Sequence, residues 1–305
     1  SLPNRSNSSP RPFLLTGIPE LEALHVWISI PFCITYITAL LGNSLVLPAV
    51  ILDRNLHEPM YYFIAVLAVI DLIFSTAAVP KMLGVFWVGC RESGFEACFT
   101  QTFFIHTFTA VGSGALLALS LDRYVAVCSP LRYQTILSVQ AVAQMGLAIV
   151  LRALLVMVPL TGLVTALPYC GSRLVPHSYC EHLAVAKLAC ADPAPAGRYS
   201  VAGSSLIVGM DVAFIAVSYG MILRAVLGHK SRRKALSTCG CHLSVVLLFY
   251  LPGIVSIYAQ HFGSAVPVPA QVLLADLYVT LPTMLNPLVY SMRSRPIRQA
   301  LLRML

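Results

Sequence analysis

The chain has 305 residues, of which 58% are hydrophobic and only 10% charged, and its formal net charge is +8. A soluble domain carries about 25% charged residues, so the missing charge means that most of this chain faces lipid. The positive balance does not signal nucleic acid, because its placement follows membrane loops rather than one face of a domain.

A spanning helix needs roughly 20 apolar residues, and hydropathy finds seven such segments, at about 25–52, 58–86, 99–122, 138–166, 199–227, 239–261 and 270–291. The fold class is therefore an all-α membrane protein, a seven-transmembrane-helix bundle. Strand alternation is absent, which argues against a barrel. The chain divides into an extracellular tail (1–24), the seven-span domain (25–291) and a short cytoplasmic tail (292–305). No cleavable signal peptide is read; the first span serves as the insertion signal.

Lys and Arg concentrate in alternate loops. Arg54, Arg132, then Arg224, Lys230, Arg232, Arg233 and Lys234, then Arg293, Arg295, Arg298 and Arg303 fall on one side. The positive-inside rule makes that side cytoplasmic and the N-terminus extracellular. The N-x-S/T sequons at Asn4 and Asn7 agree, since N-glycosylation needs luminal exposure.

In chain order, the N-terminal tail to about Leu24 is polar and Pro-rich and is expected to be mobile. Asn43 in the first span wants a hydrogen-bond partner on another helix. Pro59, after Glu58, suits the first position of the second helix. Asp71 lies deep in that apolar run, where a lone carboxylate costs about 2.5–3.5 kcal/mol. It must be paired, hydrated, protonated or bound to a cation. Lys81 is near the outer end and can snorkel.

His106 in the third span is either a buried His satisfied by a neighbour or part of a cavity in the outer bundle. Gly112, Ser113 and Gly114 allow close helix contact. At the other end, Asp122-Arg123-Tyr124 is an interfacial ion pair or a functional one; the pair alone does not decide. Arg152 in the fourth span reads as a snorkelling or helix-pairing residue.

The long loop after Pro168 holds Cys170, Cys180 and Cys190, which with Cys98 make four cysteines outside the membrane. Four cysteines allow three pairings, and Cys90 adds a fifth. His177, Cys180 and His182 superficially suggest metal ligands, but the oxidising location favours disulfides. Asp211 and Tyr219 lie in the fifth span. Pro252-Gly253 in the sixth predicts a hinge, and Asn286-Pro287 in the seventh a freed carbonyl. The tail alternates Arg298 and Arg303 with Ile297, Leu301, Leu302 and Leu305, which suits an amphipathic helix on the anionic inner leaflet.

These features in this order resemble rhodopsin-like G-protein-coupled receptors: seven spans, an outer cysteine at Cys98, Asp122-Arg123-Tyr124, and Asn286-Pro287-x-x-Tyr290. Leu56–Tyr62 (LHEPMYY), Ser120–Val127 (SLDRYVAV), Ser178-Tyr179-Cys180, Lys234–Cys239 (KALSTC) with His242, and Pro282–Tyr290 (PTMLNPLVY) are similar to odorant receptors. His57-Glu58-Pro59, Lys187–Asp192 (KLACAD), Ser205–Asp211 (SLIVGMD) and His261-Phe262-Gly263 resemble the class I, fish-like branch.

The resemblance implies disulfides Cys98–Cys180 and Cys170–Cys190. It implies a ligand cavity drawing on His106, Thr109, Ala110, Glu181, His182, Gly203, Ile207, Gly253, Ile257, His261, Asp276, Val279 and Thr280, with Tyr250 beneath the ligand. It implies a switch and coupling set of Asp71, Asp122, Arg123, Tyr124, Tyr219, Asn286, Pro287 and Tyr290. Its partners would be a small-molecule odorant, a stimulatory heterotrimeric G protein that raises cAMP, and the plasma-membrane bilayer. No cofactor and no metal is implied.

Two positions depart from the branch. Some class I receptors place a carboxylate-anchoring Arg where His261 stands, so short fatty acids suit this chain less well. Many carry a Glu where Gly112 stands, which would leave a cation site at Asp71 one ligand short. Other functions fit less well. A transporter could use Asp71, Asp211 and Asp276, but seven spans without an inverted repeat do not match that plan. A light-driven pump needs a Schiff-base Lys in the seventh span, and no Lys follows Lys234. No nucleophile–base constellation supports an enzyme. A non-olfactory chemoreceptor of the same fold stays open, since tissue is not written in the sequence.

Overall fold

Among the described residues of the computed structural model, seven helices are long and apolar enough to cross a membrane. The structure describes residues 12–227, 232–262 and 266–304. Asn4 and Asn7, and the side chain of His261, lie outside the described residues. In chain order the helices are α1 (His25–Leu52), α2 (Pro59–Val88), α3 (Phe95–Cys128), the short α4 (Tyr133–Ile136), α5 (Val139–Thr165), the short α6 (His182–Ala186), α7 (Ala194–Leu227), α8 (Arg232–Phe262), α9 (Val268–Arg293) and α10 (Arg295–Met304).

Local chemistry sets the ends. α2 begins at Pro59, whose missing N–H would have been unpaired in a first turn anyway. It stops at Gly89, whose φ of 63° is a left-handed conformation that costs glycine nothing. Ser138 caps α5, its hydroxyl accepting from the Ala141 N–H. α3 overruns the span expected to end at 122: Asp122-Arg123-Tyr124 sits inside the helix, which continues to Cys128. Hydropathy marks where lipid ends, whereas the backbone hydrogen bonds of a helix continue past it.

α3 is the most buried of the seven spans and packs against α2, α5, α7 and α8. Small residues make this possible. A Cβ on Gly114 would lie 2.6 Å from Ile149, and one on Gly112 3.2 Å from Phe249. α1 packs on α2 and α9. There Asn43 donates to the Thr283 carbonyl at 3.0 Å, which supplies the inter-helix partner the sequence calls for. A Cβ on the adjacent Gly42 would meet Pro287 at 2.8 Å.

The N-terminal segment differs from expectation. From Phe13 onward it is folded rather than mobile. β1 (Phe13–Leu15) is the central strand of a three-stranded sheet, antiparallel to β2 (Glu92–Ser93) and parallel to β3 (Leu174–Val175). Phe13, Leu15 and Ile18 are fully buried. The Phe13 ring sits 5.9 Å from Phe95, 6.1 Å from Phe99 and 5.3 Å from Tyr169. The surrounding polar and Pro residues mask this short apolar alternation in any composition average.

At the opposite end, α10 turns Ile297 and Ala300 into the bundle and packs on α1 and α9. Part of the face expected to meet lipid therefore meets protein, while Leu302 stays exposed. Arg303 reaches Asp53 at 3.1 Å.

Candidate functional site

Two disulfides shape one end of the bundle. Cys98 at the start of α3 is bonded to Cys180, and Cys170 to Cys190, with Cα separations of 5.3 and 6.0 Å. Cys90 is free and exposed. The Cys180 peptide is fixed further: its N–H donates to Gln101 Oε1 and its carbonyl accepts from Thr102 Oγ1, both at 2.9 Å. Glu181 then caps α6, its Oε2 accepting from the Ala184 N–H at 2.7 Å. The loop thus folds back over the helices.

Beneath it lies a cavity of about 100 Å³. α3 contributes Ile105, His106, Thr109, Ala110 and Ser113; α5 contributes Val156, Met157 and Leu160. Ser200, Ser204, Ile207 and Val208 come from α7, Phe249, Ser256 and Ile257 from α8, and Tyr278 from α9. Tyr179, Glu181, His182 and Leu183 close the top. The walls are chiefly apolar; besides Ser204, Ser256 and the Thr109 hydroxyl, which accepts from Tyr278 at 2.9 Å, the polar groups form two networks.

The first is the roof. His182 Nδ1 lies 3.0 Å from both His106 Nε2 and Glu181 Oε1, and its Nε2 lies 2.7 Å from Ser200 Oγ. Burial pushes the Glu181 carboxyl up, but His182 beside it, with His177 and His106, outweighs that and holds it below the usual carboxylate range.

The second is the floor. Ser113 donates to Asp211 Oδ2 at 2.5 Å and pairs with the Tyr250 hydroxyl at 2.7 Å. Arg152 grips Asp211 through both terminal nitrogens, at 2.5 and 2.9 Å. This network ties α3, α5, α7 and α8 together directly below the cavity.

At the far end of α3, Arg123 is ion-paired with Asp122, its Nε donating at 2.8 Å. The Tyr133 hydroxyl donates to Asp122 Oδ1 at 2.6 Å. Burial, then the Asp122 hydrogen bond and charge, push the Tyr133 phenol above its ordinary pKa, so it stays a donor. Between the two ends, Asn286 Nδ2 donates to Asp71 Oδ2 at 3.0 Å across α9 and α2.

A family model described as Olfactory receptor matches residues 32–305. The human proteins Olfactory receptor 52I2 and Olfactory receptor 52I1 are 51% and 50% identical over 300 and 302 residues. These alignments cover 97% and 98% of this chain, and 86% and 93% of the relatives. Human Olfactory receptor 52B2 is 47% identical over 95% of this chain and 91% of its own length. The chain belongs to the olfactory receptor family. It is a G-protein-coupled odorant receptor of the multi-pass membrane, and not an enzyme.

In this olfactory receptor, the expected ligand residues divide. His106, Thr109, Ala110, Glu181, His182, Ile207 and Ile257 line the cavity. Gly203, Tyr250, Gly253, Asp276, Val279 and Thr280 are not among its lining residues, and each has a packing reason. A Cβ on Gly203 would lie 2.8 Å from Val156, and one on Gly253 2.8 Å from Tyr278, so both glycines serve helix contact. Tyr250 sits in the floor network. Asp276 is fully buried under the loop, accepting from Ser178 Oγ at 2.8 Å. Val279 and Thr280 are core residues, the Thr280 hydroxyl bonding back to the Asp276 carbonyl.

The switch set is not one cluster. Asp122 and Arg123 are paired at the far end, Asp71 and Asn286 meet mid-bundle, and Tyr219 and Tyr290 are buried in α7 and α9. Tyr124 is half-buried against the core. Lys81 does more than snorkel: it donates to the carbonyls of Cys90 and Glu92 at 2.8 and 2.6 Å and ties down the loop before α3.

Sequence reading allowed Arg152 to pair with another helix but did not find its partner Asp211, and it missed the α5 wall and Tyr133. Nothing polar marks Val156, Met157 or Leu160. A signal did exist in α7, where Ser200, Ser204 and Val208 recur every four residues on one face.

Proposed function

We propose that the chain is a class I odorant receptor that couples to a stimulatory G protein and raises cAMP. Its N-terminus and disulfide-bonded loop are extracellular, and its Arg123 end is cytoplasmic. The observation that carries this reading is the double duty of Ser113. It lines the cavity and is hydrogen-bonded to Tyr250 and Asp211. A ligand pressing on the floor therefore acts on four helices at once.

Ligand binding would favour a second arrangement of α8, whose Pro252-Gly253 hinge lies just past Tyr250. Arg123 would then leave Asp122 and meet a G-protein helix, with Tyr124, Tyr219, Asn286, Pro287 and Tyr290 repacking around it. The positive-inside charge pattern supports the orientation. The ligand is small and largely apolar. The cavity falls below the roughly 300–1,000 Å³ of a drug-sized pocket, and its walls on α5 and α7 are mostly hydrocarbon.

A cAMP reporter screen in cells over acids, alcohols, aldehydes and esters tests the reading. Neutral short ligands are expected to activate more strongly than acids, and His261→Arg is expected to raise acid potency. Strong activation of the parent by acids, unchanged in His261→Arg, would overturn the assigned ligand class. Absence of any cAMP response under a broad panel, with calcium or other G-protein readouts responding instead, would overturn the coupling.

A further inference from the structure

The roof of the cavity holds more donor atoms than protons can serve. His106, His182 and Glu181 each offer a ligand atom within 4.8 Å of the others, and His182 Nδ1 is 3.0 Å from both His106 Nε2 and Glu181 Oε1. A ring nitrogen either carries one proton or offers one lone pair. With a proton, His182 Nδ1 can point well at Glu181 or at His106, not at both. With a lone pair, it faces the carboxylate as a second acceptor. The two rings meet edge to face, 4.6 Å apart at 88°, which aims the His106 nitrogen at the His182 nitrogen rather than at the ring face.

A divalent cation accounts for it. Zinc–nitrogen and zinc–oxygen bonds of about 2.0–2.2 Å in tetrahedral geometry place ligand atoms roughly 3.3–3.5 Å apart. The two 3.0 Å separations from His182 are a few tenths of an ångström shorter, and the His106–Glu181 pair lies within 4.8 Å, so the three side chains rotate to take up the ion. The outer partners are those a metal site uses. His182 Nε2 is 2.7 Å from Ser200 Oγ, so its N–H can donate there and leave Nδ1 free to ligate. The second oxygen of Glu181 is held by the Ala184 N–H at 2.7 Å, which aims the first. Glu181 is only 5% exposed, and among the described residues its ion-pair partner is His182. One buried carboxylate and two imidazoles favour a cation over any neutral occupant.

We propose that His106, His182 and Glu181 form a Zn²⁺ site whose fourth position opens on the cavity. All three residues line that cavity, so a molecule held there reaches the ion. Resting on the reading of the cavity as the ligand site, this narrows the ligand to a small apolar molecule bearing one neutral nitrogen donor. A pyridine-type ring nitrogen, uncharged at neutral pH, is the simplest case. The sequence conceals the site because His106 and His182 stand far apart in the chain, and the Cys98–Cys180 bond with the Gln101 and Thr102 hydrogen bonds brings the loop over α3.

The test uses the purified full-length receptor in lipid nanodiscs, with Co²⁺ as a visible probe in place of Zn²⁺. One equivalent of Co²⁺ is expected to give the strong visible absorption of a four-coordinate site, and Zn²⁺ to abolish it by displacement. Pyridine is expected to shift the bands. His106→Ala and Glu181→Gln are expected to weaken Co²⁺ binding at least tenfold. Should either fail to fold, as judged by its melting temperature without metal, Ser200→Ala is read instead. Loss of that outer partner is expected to weaken binding about 10-fold or more.

No four-coordinate spectrum in the parent, or unchanged affinity in the variants, overturns the site. Bands unmoved by pyridine overturn its open position. The readout needs no G protein, so it fails or succeeds separately from the signalling assay.

Discussion

Arg152 and Asp211 grip each other across α5 and α7 with two parallel hydrogen bonds, Nη1 to Oδ1 and Nη2 to Oδ2. Asp211 is buried, and the Arg152 side chain is only 28% exposed. The forked geometry fits a guanidinium and not an ammonium. Removing one member of such a pair strands the other charge, at a cost of about 3–5 kcal/mol. Arg152→Ala and Asp211→Ala are each expected to lower the melting temperature and surface expression sharply. The double variant Arg152→Leu/Asp211→Leu is expected to recover more than half of the loss. If the double variant loses the sum of the two singles, the pair carries no coupling and the floor network is not the unit described.

A second expectation concerns the far end of α3. Asp122 is held by Arg123 from one side and by the Tyr133 hydroxyl from the other. Arg123→Ala is expected to abolish the ligand response while surface expression stays largely intact. Tyr133→Phe removes one hydrogen bond to a charged group, worth about 1.5–3 kcal/mol. It is expected to raise basal cAMP several-fold, because Asp122 then holds Arg123 less firmly. Basal signalling equal to the parent would remove Tyr133 from the restraint.

The N-terminal strand yields a third. Phe13 is fully buried among Phe95, Phe99 and Tyr169. Truncating a buried Phe costs about 3–5 kcal/mol. Phe13→Ala is expected to reduce surface expression and melting temperature to about the degree seen for a core residue such as Phe99. A truncation that spares stability would return this segment to the mobile tail its composition suggests.

A fourth follows from the loop over the cavity. Burial lowers the pKa of His177 from its ordinary value of 6.5, with Glu181 opposing and Lys187 adding to the shift. The native ring stays neutral where the unfolded chain takes up a proton, so stability declines as the pH falls below about 6.5. Glu181, depressed by its imidazole neighbours, adds a loss only at still lower pH, as its carboxylate is protonated. Melting temperatures measured from pH 7.5 to 5 are expected to fall, and His177→Gln is expected to flatten the upper part of that fall. A parallel decline in His177→Gln would assign the acid sensitivity elsewhere.

The spans were legible because lipid imposes a length and a composition that leave little choice. Pairings were not. Asp211 was visibly out of place in an apolar helix, and so was Arg152. Their meeting depends on how two helices rotate about α3, which no local pattern encodes. The same holds for His106 and His182, joined only when the loop folds back. β1 was hidden for another reason: three residues are too few for alternation to stand out. The disulfide partners came from family resemblance, since spacing alone left three pairings open.

The Cys180 clasp has a mechanical consequence. One covalent bond and two hydrogen bonds hold the start of α3 to the overlying loop. At 1.5 Å per residue, Arg123 lies roughly 37 Å along the axis from Cys98. With that end pinned, a tilt of about 5° sweeps the other through roughly 3 Å, the width of one hydrogen bond. Tilting rigidly about the clasp, the helix would act as a lever with its load at Arg123. A ligand at His106, roughly 12 Å from the pivot, would need to shift the shaft by about 1 Å to produce that sweep at the far tip.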